Sequence, residues 1–292
     1  MRLPRLFLLP AALLAACGAD EPAAPVAQYY GTLEPFAAEA VYFIVTDRFV
    51  DGDPANNHED QGGELLHTFD RPVQVAGQPP GNIGYLGGDF QGVIDNAAYI
   101  AEMGFTAVWL TPVVDNPDEA FTGGAAPGEG GSNDRGKAGY HGYWGVNFFE
   151  LDEHLPSPGL DYAALTERLR DEHGLGTILD VVCNHGSPAF TMPEDQPKFG
   201  ELYDAAGTLV ADHQNLLPSE LSDDEPLHAF FRRERDLAEL ADLDHDNPDV
   251  LDYCASAHLG WIGQGAAAVR IDTIKHMPHR FWKAFADRIR AE

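Results

Sequence analysis

Positive charge is what this chain has least of. In 292 residues, 18 Lys and Arg stand against 47 Asp and Glu, a formal net charge of -29 at pH 7. A field of that sign repels phosphate backbones and anionic lipid surfaces, so nucleic acid and the membrane surface are excluded as partners. A neutral substrate, or bound cations, fits instead. Cysteine is scarce too, with three in all. Setting Cys17 aside as part of a leader leaves Cys183 and Cys254, a number that formally allows a disulfide in an exported chain. Cys183 falls in an apolar strand and Cys254 in a helical stretch, where free cysteine behaves as a small buried hydrophobe. Long apolar runs are absent: the one from Leu6 to Ala16 is too short to span a bilayer as a stable helix. No short repeat occurs. The 44% hydrophobic content, with 16 Phe and 10 Tyr, is enough to bury a core, so the chain is globular.

Arg2 and Arg5 before that apolar run, and the small residues closing it, give the form of a secretory signal. Its end, Leu14-Ala15-Ala16-Cys17, resembles the bacterial lipobox, in which the cysteine is lipidated and becomes the mature N-terminus. Residues 1–17 are therefore expected to be a lipoprotein-type signal, Cys17 the lipidation site, and the cell envelope the location. Cleavage near Ala16 and free secretion is the alternative. Gly18 to Thr32 is rich in Ala, Pro and Gly without periodicity, and residues 18–36 read as a flexible tether.

From Val41 onward, apolar strand-like runs alternate with amphipathic helical stretches, the pattern of an α/β fold with a parallel sheet wrapped by helices. Strands are expected at Val41 to Val45, Ala107 to Thr111, Thr177 to Cys183 and Ala266 to Asp272. Helices are expected at Gly92 to Met103, Tyr162 to His173, Asp249 to Ile262 and Pro278 to Ala291, with Pro278 in a first turn. Polar residues gather at the strand ends: Thr46 and Asp47, Asn184 and His185, Asp272. That is where a (β/α)8 TIM barrel builds its active site. Four strand and helix units are present, half of what a closed barrel needs, with Glu292 in mid-helix, so the sequence reads as the front part of a longer catalytic region. Residues 37–185 form units one, two and the start of three, and 247–292 hold helix 3, strand 4 and helix 4. The Pro-rich stretch 186–246 between them is too long for an ordinary loop, and reads as an inserted domain.

Five motifs carry chemistry. In Ala268 to His276, Arg270 and Asp272 are two apart in a strand and share a face. A guanidinium there keeps the carboxylate ionised, as a carboxylate nucleophile requires, although a structural ion pair fits as well. In Asp180-Val-Val-Cys-Asn-His185, alternation puts Asp180, Val182 and Asn184 on one face with His185 at the rim. Two segments are rich in hard oxygen donors: Leu240-Ala-Asp-Leu-Asp-His-Asp-Asn247 and Asp51-Gly-Asp-Pro-Ala-Asn-Asn57. Calcium takes such ligands from distant loops, and turns built on Asx residues look alike. Tyr140-His-Gly-Tyr-Trp144 offers aromatic faces that suit pyranose rings, or a core cluster.

Together these segments resemble the alpha-amylase family, glycoside hydrolase family 13, almost continuously from Val41 to Glu292, and most nearly its cyclodextrin glucanotransferase-like subfamily. The resemblance implies Asp272 as nucleophile, Arg270 as its catalytic partner and Asp180 as support for Arg270. It implies His141, Tyr143, His185, Lys275 and His276 as sugar-binding residues and an α-glucan as partner. It implies two Ca2+ sites: Asn184, Asp242 and the carbonyl of His276 in one; Asp51, Asp53, Asn56, Asn57, the carbonyl of Gly87 and Asp89 in the other. The cyclising enzymes carry an aromatic residue where this chain has Ala238, which favours hydrolysis or simple transfer over ring formation.

A retaining glycosidase needs two carboxylates about 5 to 5.5 Å apart. Asp272 supplies one. The family's acid/base Glu follows the next strand, which this sequence does not include, and Glu292 stands before that point. The 292 residues alone are thus expected to be inactive in glucan cleavage. A non-catalytic glucan-binding or vestigial surface lipoprotein is the second expectation. The sequence does not fix an oligomeric state.

Overall fold

The computed structural model describes residues 35–61, 67–127 and 135–291. The expected signal, Cys17 and the tether as far as residue 34 lie outside these, as does Glu292.

Four apolar segments form one parallel sheet, β1 (Val41–Ile44), β2 (Ala107–Leu110), β3 (Gly176–Val181) and β4 (Ala268–Ile271), side by side in chain order. The register sets Phe43 opposite Trp109, Trp109 opposite Ile178, and Arg270 opposite Asp180. Sequential parallel strands joined by helical crossovers are the first four units of the (β/α)8 fold. Val45, Thr111, Val182 and Cys183, expected in strands, lie beyond the paired segments. The chain turns there: a 3-10 turn at Thr46–Arg48 follows β1.

Side chains alternate across the sheet. Ile44, Val108, Leu110, Leu179 and Val181 join the core shared with the helices. Phe43, one residue before Ile44, is 45% exposed on the other face, against 2% for Ile44. Its ring lies 4.0 Å from that of Trp109.

The helix expected from Gly92 to Met103 is two, α1 (Phe90–Asp95) and α2 (Ala97–Glu102). Asn96 breaks it: its Nδ2 donates to the Gly92 carbonyl at 2.8 Å, the local side-chain bond by which Asn competes with helix. α3 (Tyr162–His173) is capped by Asp161, which accepts from Ala164 N at 2.9 Å, and ends on Gly174 at φ 66°. α4 (Pro248–Ile262) starts from an Asn247 cap and buries Val250, Tyr253, Cys254, Ala257, His258 and Trp261, the i, i+3, i+4 pattern of one apolar face. α5 (His279–Ala291) packs on α4 through Phe281, Trp282 and Phe285. Pro278 precedes α5 rather than lying in its first turn. No helix among the described residues is long and apolar enough to cross a membrane.

The stretch 186–246 holds short strands of its own. Its strands Glu201–Tyr203 and Leu209–Asp212 join Asn147–Leu151 and Val114–Asp115 of the β2–β3 connection in a four-stranded sheet. Its two ends, His185–Pro188 and Leu240–Asp242, pair antiparallel with His185 opposite Asp242.

Candidate active site at the C-terminal ends of β3 and β4

Register places Asp180 beside Arg270, and alternation sends both to the open face of the sheet. Arg270 Nη1 donates to Asp180 Oδ1 at 2.9 Å and to Asp272 Oδ1 at 2.8 Å. Tyr143 OH donates to Asp180 Oδ2 at 2.7 Å and Trp109 Nε1 donates to the same oxygen at 2.9 Å. The guanidinium also lies 4.8 Å over the Trp109 ring, a cation–π contact. Asp180 is therefore a buried carboxylate with three side-chain donors. Burial lifts its carboxyl above the usual range, and the Arg270, Tyr143 and Trp109 hydrogen bonds pull it back. Burial works against the Arg270 charge, but Asp180 raises its pKa overall.

Asp272 is different. Arg270 is its ion-pair partner, and its side chain keeps 15% exposure, so one face of the carboxylate is open. Two histidines flank the site. Burial, opposed by the Asp272 charge, pushes His185 down to about 4. Burial, then the charges of Lys137, His185 and Arg48, takes His141 well below the ordinary histidine value. Both are neutral at pH 7, able to hydrogen-bond a neutral ligand without a desolvated charge. Tyr143 N donates to His141 Nδ1 at 3.1 Å. The turn that aims this pair requires glycine: Gly142 has φ 79°, and a Cβ there would stand 2.2 Å from the Pro112 carbonyl. Tyr140, His141, Tyr143 and Trp144 line one open cavity with Arg48 and Lys137, and the Arg48 guanidinium lies 3.6 Å over the Tyr140 ring.

The expected site residues fall into three groups. Arg270, Asp272, Asp180, Tyr143, His141 and His185 come together. Lys275 and His276 stand on the following turn: Lys275 is exposed, and His276 Nδ1 lies 3.2 Å from Asp236 Oδ2. The oxygen-rich residues form the third group. Asn184 is fully buried and Asp242 is 4% exposed, and the Oδ1 atom of each has no hydrogen-bond partner. Burial pushes Asp242 up to about 6, although its Oδ2 accepts from Asp236 N at 2.8 Å and Leu237 N at 3.2 Å. Two orphaned hard oxygens, one just before the strand His185–Pro188 and one on its partner strand Leu240–Asp242, fit a calcium ion. In the other loop, Asn56 Oδ1 and Asn57 Oδ1 are likewise buried and unpartnered, and Asn57 Nδ2 donates to Asp51 Oδ2 at 3.0 Å. Gly87 is at φ 86°, where a Cβ would lie 2.4 Å from Asn57 Oδ1. Asp53 Oδ1 accepts from Ala55 N. Asp89 accepts four hydrogen bonds, from Gly52 N, Gly92 N, Asp53 N and Asn56 Nδ2, so it clamps the loop and caps α1. The fit there rests on Asp51, Asn56 and Asn57.

Trp109 was not legible as a site residue, because an aromatic in a buried strand reads as core. Its even spacing from Ala107 and the register to β3 would have placed it on the face of Asp180. Ala238 adopts φ 51°, and Arg235 Nε donates to its carbonyl at 2.6 Å. Cys183 and Cys254 are both buried and free.

Comparison with known proteins identifies the family. The alpha amylase catalytic domain matches residues 43–289. Cyclomaltodextrin glucanotransferase of Klebsiella oxytoca is 32% identical over 261 residues, covering 84% of this chain and 34% of that protein. An alpha-amylase of Niallia circulans is 29% identical over 294 residues, covering 99% of this chain and 51% of its own. The crystal structure of CldA, a cyclomaltodextrin glucanotransferase with a three-domain ABC distribution, superposes with a TM-score of 0.64 at 32% identity, over 87% of this chain and 48% of that one. The chain thus spans a third to a half of the length of these relatives. With the catalytic-domain match running through all four strands, from β1 to α5, the chain belongs to the alpha-amylase family.

Proposed function

We propose that this chain carries the nucleophile side of a retaining, calcium-dependent enzyme that hydrolyses or transfers α-1,4-linked glucans. The observation behind it is the asymmetry of one arginine between two carboxylates: Arg270 holds Asp180 in a closed network and leaves Asp272 with an open face. Asp272 attacks the anomeric carbon as a carboxylate, with Arg270 as its ion-pair partner. His185 and His141, both neutral, hydrogen-bond sugar hydroxyls, and the Tyr143 ring meets the apolar pyranose face. Lys275 and His276 hold the leaving-group side.

Calcium would be held by Asn184 Oδ1 and Asp242 Oδ1, and by Asp51, Asn56 and Asn57 in the loop after β1. When bound, it supplies fixed positive charge that braces the cleft walls. The proton donor is a separate group. Asp180 neighbours Asp272 through Arg270, but its two oxygens already accept from three side chains. We place the acid on the strand that follows β4 in the family.

A glycosyl fluoride carrying a second fluorine on the ring tests this, because fluoride departs without an acid and the slowed intermediate accumulates. Mass spectrometry should find the sugar on Asp272, with none taken up by Asp272→Asn. Labelling at Asp180, or equal labelling of both proteins, would remove Asp272 from its role. If the wild type binds maltooligosaccharide yet never labels, the glucan-binding lipoprotein is the better reading.

A further inference from the structure

A third group of acids stands apart from both oxygen-rich loops. Asp115 and Asp118 follow β2, Asp152 and Glu153 follow the strand Asn147–Leu151, and Gln61 belongs to the loop after β1. Carboxylate oxygens of Asp115, Asp118 and Glu153 lie within 4.8 Å of one another, and so do ligand atoms of Asp152, Glu153 and His154. Glu153 belongs to both sets. The lysine that meets them, Lys198, lies 3.4 Å from Asp115 Oδ2 with its side chain 37% exposed. Burial, then the Asp152 charge, pushes Asp115 up to about 8 against the pull of Lys198. Burial and the Glu153 charge push Asp118 up to about 6.

An independent observation points to a ligand. Tyr85 is 3% exposed, and its buried hydroxyl has no hydrogen-bond partner. Burial, then the charges of Asp152, Glu153, Asp47 and Asp118, raises its pKa. Its ring stacks on His154 at 3.8 Å. Gln61 Oε1 and His154 Nε2 are also buried without partners, while Gln61 Nε2 donates to Glu153 Oε1. Buried polar atoms left unpaired are rare, because each forfeits its hydration without return. Gln61 Oε1 belongs to an amide already hydrogen-bonded to Glu153, and His154 shares a group of ligand atoms with Asp152 and Glu153, so both unpartnered atoms belong to residues of this acidic group, where a hard cation would take carboxylate and amide oxygens together.

We propose that Asp115, Asp118 and Glu153, with Gln61 Oε1, form a third cation site, selective for a hard divalent ion of the calcium type. Carboxylates and an amide oxygen suit such an ion, and 4.8 Å between ligand atoms is compatible with ligands 2.3 to 2.6 Å from a shared centre. The site ties the loop after β1 to the β2 loop and to the turn at Asp152. Its effect reaches the sugar platform by two hydrogen bonds: Asn116 Nδ2 donates to Asp152 Oδ2 at 3.3 Å, and Trp144 N donates to Asn116 Oδ1 at 2.9 Å. The ion is therefore a positioning element for the Tyr140–Trp144 turn, independent of the ion at Asn184 and Asp242.

Calcium titration of the chelated protein by calorimetry, with bound calcium counted by elemental analysis, tests this. Glu153→Gln should bind one calcium fewer per chain than wild type. Asp118→Asn should weaken that same ion by about tenfold or more. Asp242→Asn should lose a different ion and keep this one. Equal number and affinity in wild type, Glu153→Gln and Asp118→Asn would overturn the proposal, as would loss of all calcium uptake in Asp242→Asn. If circular dichroism shows Glu153→Gln unfolded, the half-buried Asp118→Asn decides alone, and unchanged titration there counts as refutation. Failure at Glu153 leaves the Asn184 and Asp242 site standing, so the two readings fail separately.

Discussion

Two regions of this molecule gather carboxylates, and they neutralise them in opposite ways. At the ends of β3 and β4, Asp180 and Asp272 share Arg270, a cation built into the sheet two residues from one and in register with the other. Around Glu153, the acids meet Lys198 from another loop, at 3.4 Å from Asp115, and buried atoms of Tyr85, Gln61 and His154 remain unpartnered. The first region balances its charges with its own side chains. The second, on the reading proposed above, is balanced by an added cation. An active site that must meet a neutral sugar needs its charges fixed in advance, because rearranging them during reaction would cost part of the stabilisation they supply. A structural site can wait for its ion.

The largest test of that contrast is to remove each region's own cation. Arg270→Met leaves the buried Asp180 without its cation while Tyr143 and Trp109 still donate to it, a loss of about 1.5 to 3 kcal/mol by the behaviour of hydrogen bonds to charged groups. Lys198→Met removes a partly exposed lysine and should cost under about 1 kcal/mol. Urea midpoints of the two variants measure the difference. Equal losses would mean that the two clusters are neutralised alike, and would break the comparison.

Acid sharpens it next. Asp180 has a raised folded pKa, so the folded state takes its proton more readily than the unfolded chain, and this group does not lose stability as pH falls. His258, on α4 with its Nε2 3.1 Å from the Val182 carbonyl, is held by burial down at about 4, and burial holds His213 there as well. For these two the sign is opposite. Their contribution is full above the unfolded value of about 6.5 and disappears as pH falls towards 4, because the unfolded chain binds the proton first. Thermal midpoints should therefore fall between pH 6.5 and 4, and the fall should be shallower in His258→Gln. A profile unchanged by that substitution would move the acid sensitivity elsewhere.

What the sequence made legible followed from periodicity. Alternation in Ala268 to Asp272 placed Arg270 and Asp272 on one face, and the shared face of Asp180 and Arg270 followed once the strands were set in register. Strand and helix order was legible for the same reason: an apolar run of four or five residues between helical stretches has little else it can be. Three features were not legible. The break at Asn96 depends on one side-chain bond to Gly92 that the helical period of the neighbours conceals. Trp109 reads as core in sequence because only tertiary register shows which face it takes. The group around Glu153 includes Gln61, 92 residues away in the chain, and no local pattern joins its members.

A smaller effect than the loss of Arg270 concerns how much of the network is redundant. Tyr143→Phe keeps the ring against the sugar and removes one of three donors to Asp180. A hydrogen bond to a charged group is worth about 1.5 to 3 kcal/mol, and the lower end applies here because Trp109 and Arg270 still hold the same carboxylate. The variant should thus remain folded, with a urea midpoint lowered by about 1.5 kcal/mol in stability, and it should still label at Asp272 with the difluoro sugar. Arg270 also lies 3.5 Å from the Tyr143 hydroxyl, so the guanidinium can settle more fully on Asp180 once the phenol is gone. That shift draws charge away from Asp272. Slower labelling with unchanged stability would show that Tyr143 tunes how Arg270 divides itself between the two carboxylates, whereas lost stability with unchanged labelling would show that it serves Asp180 alone.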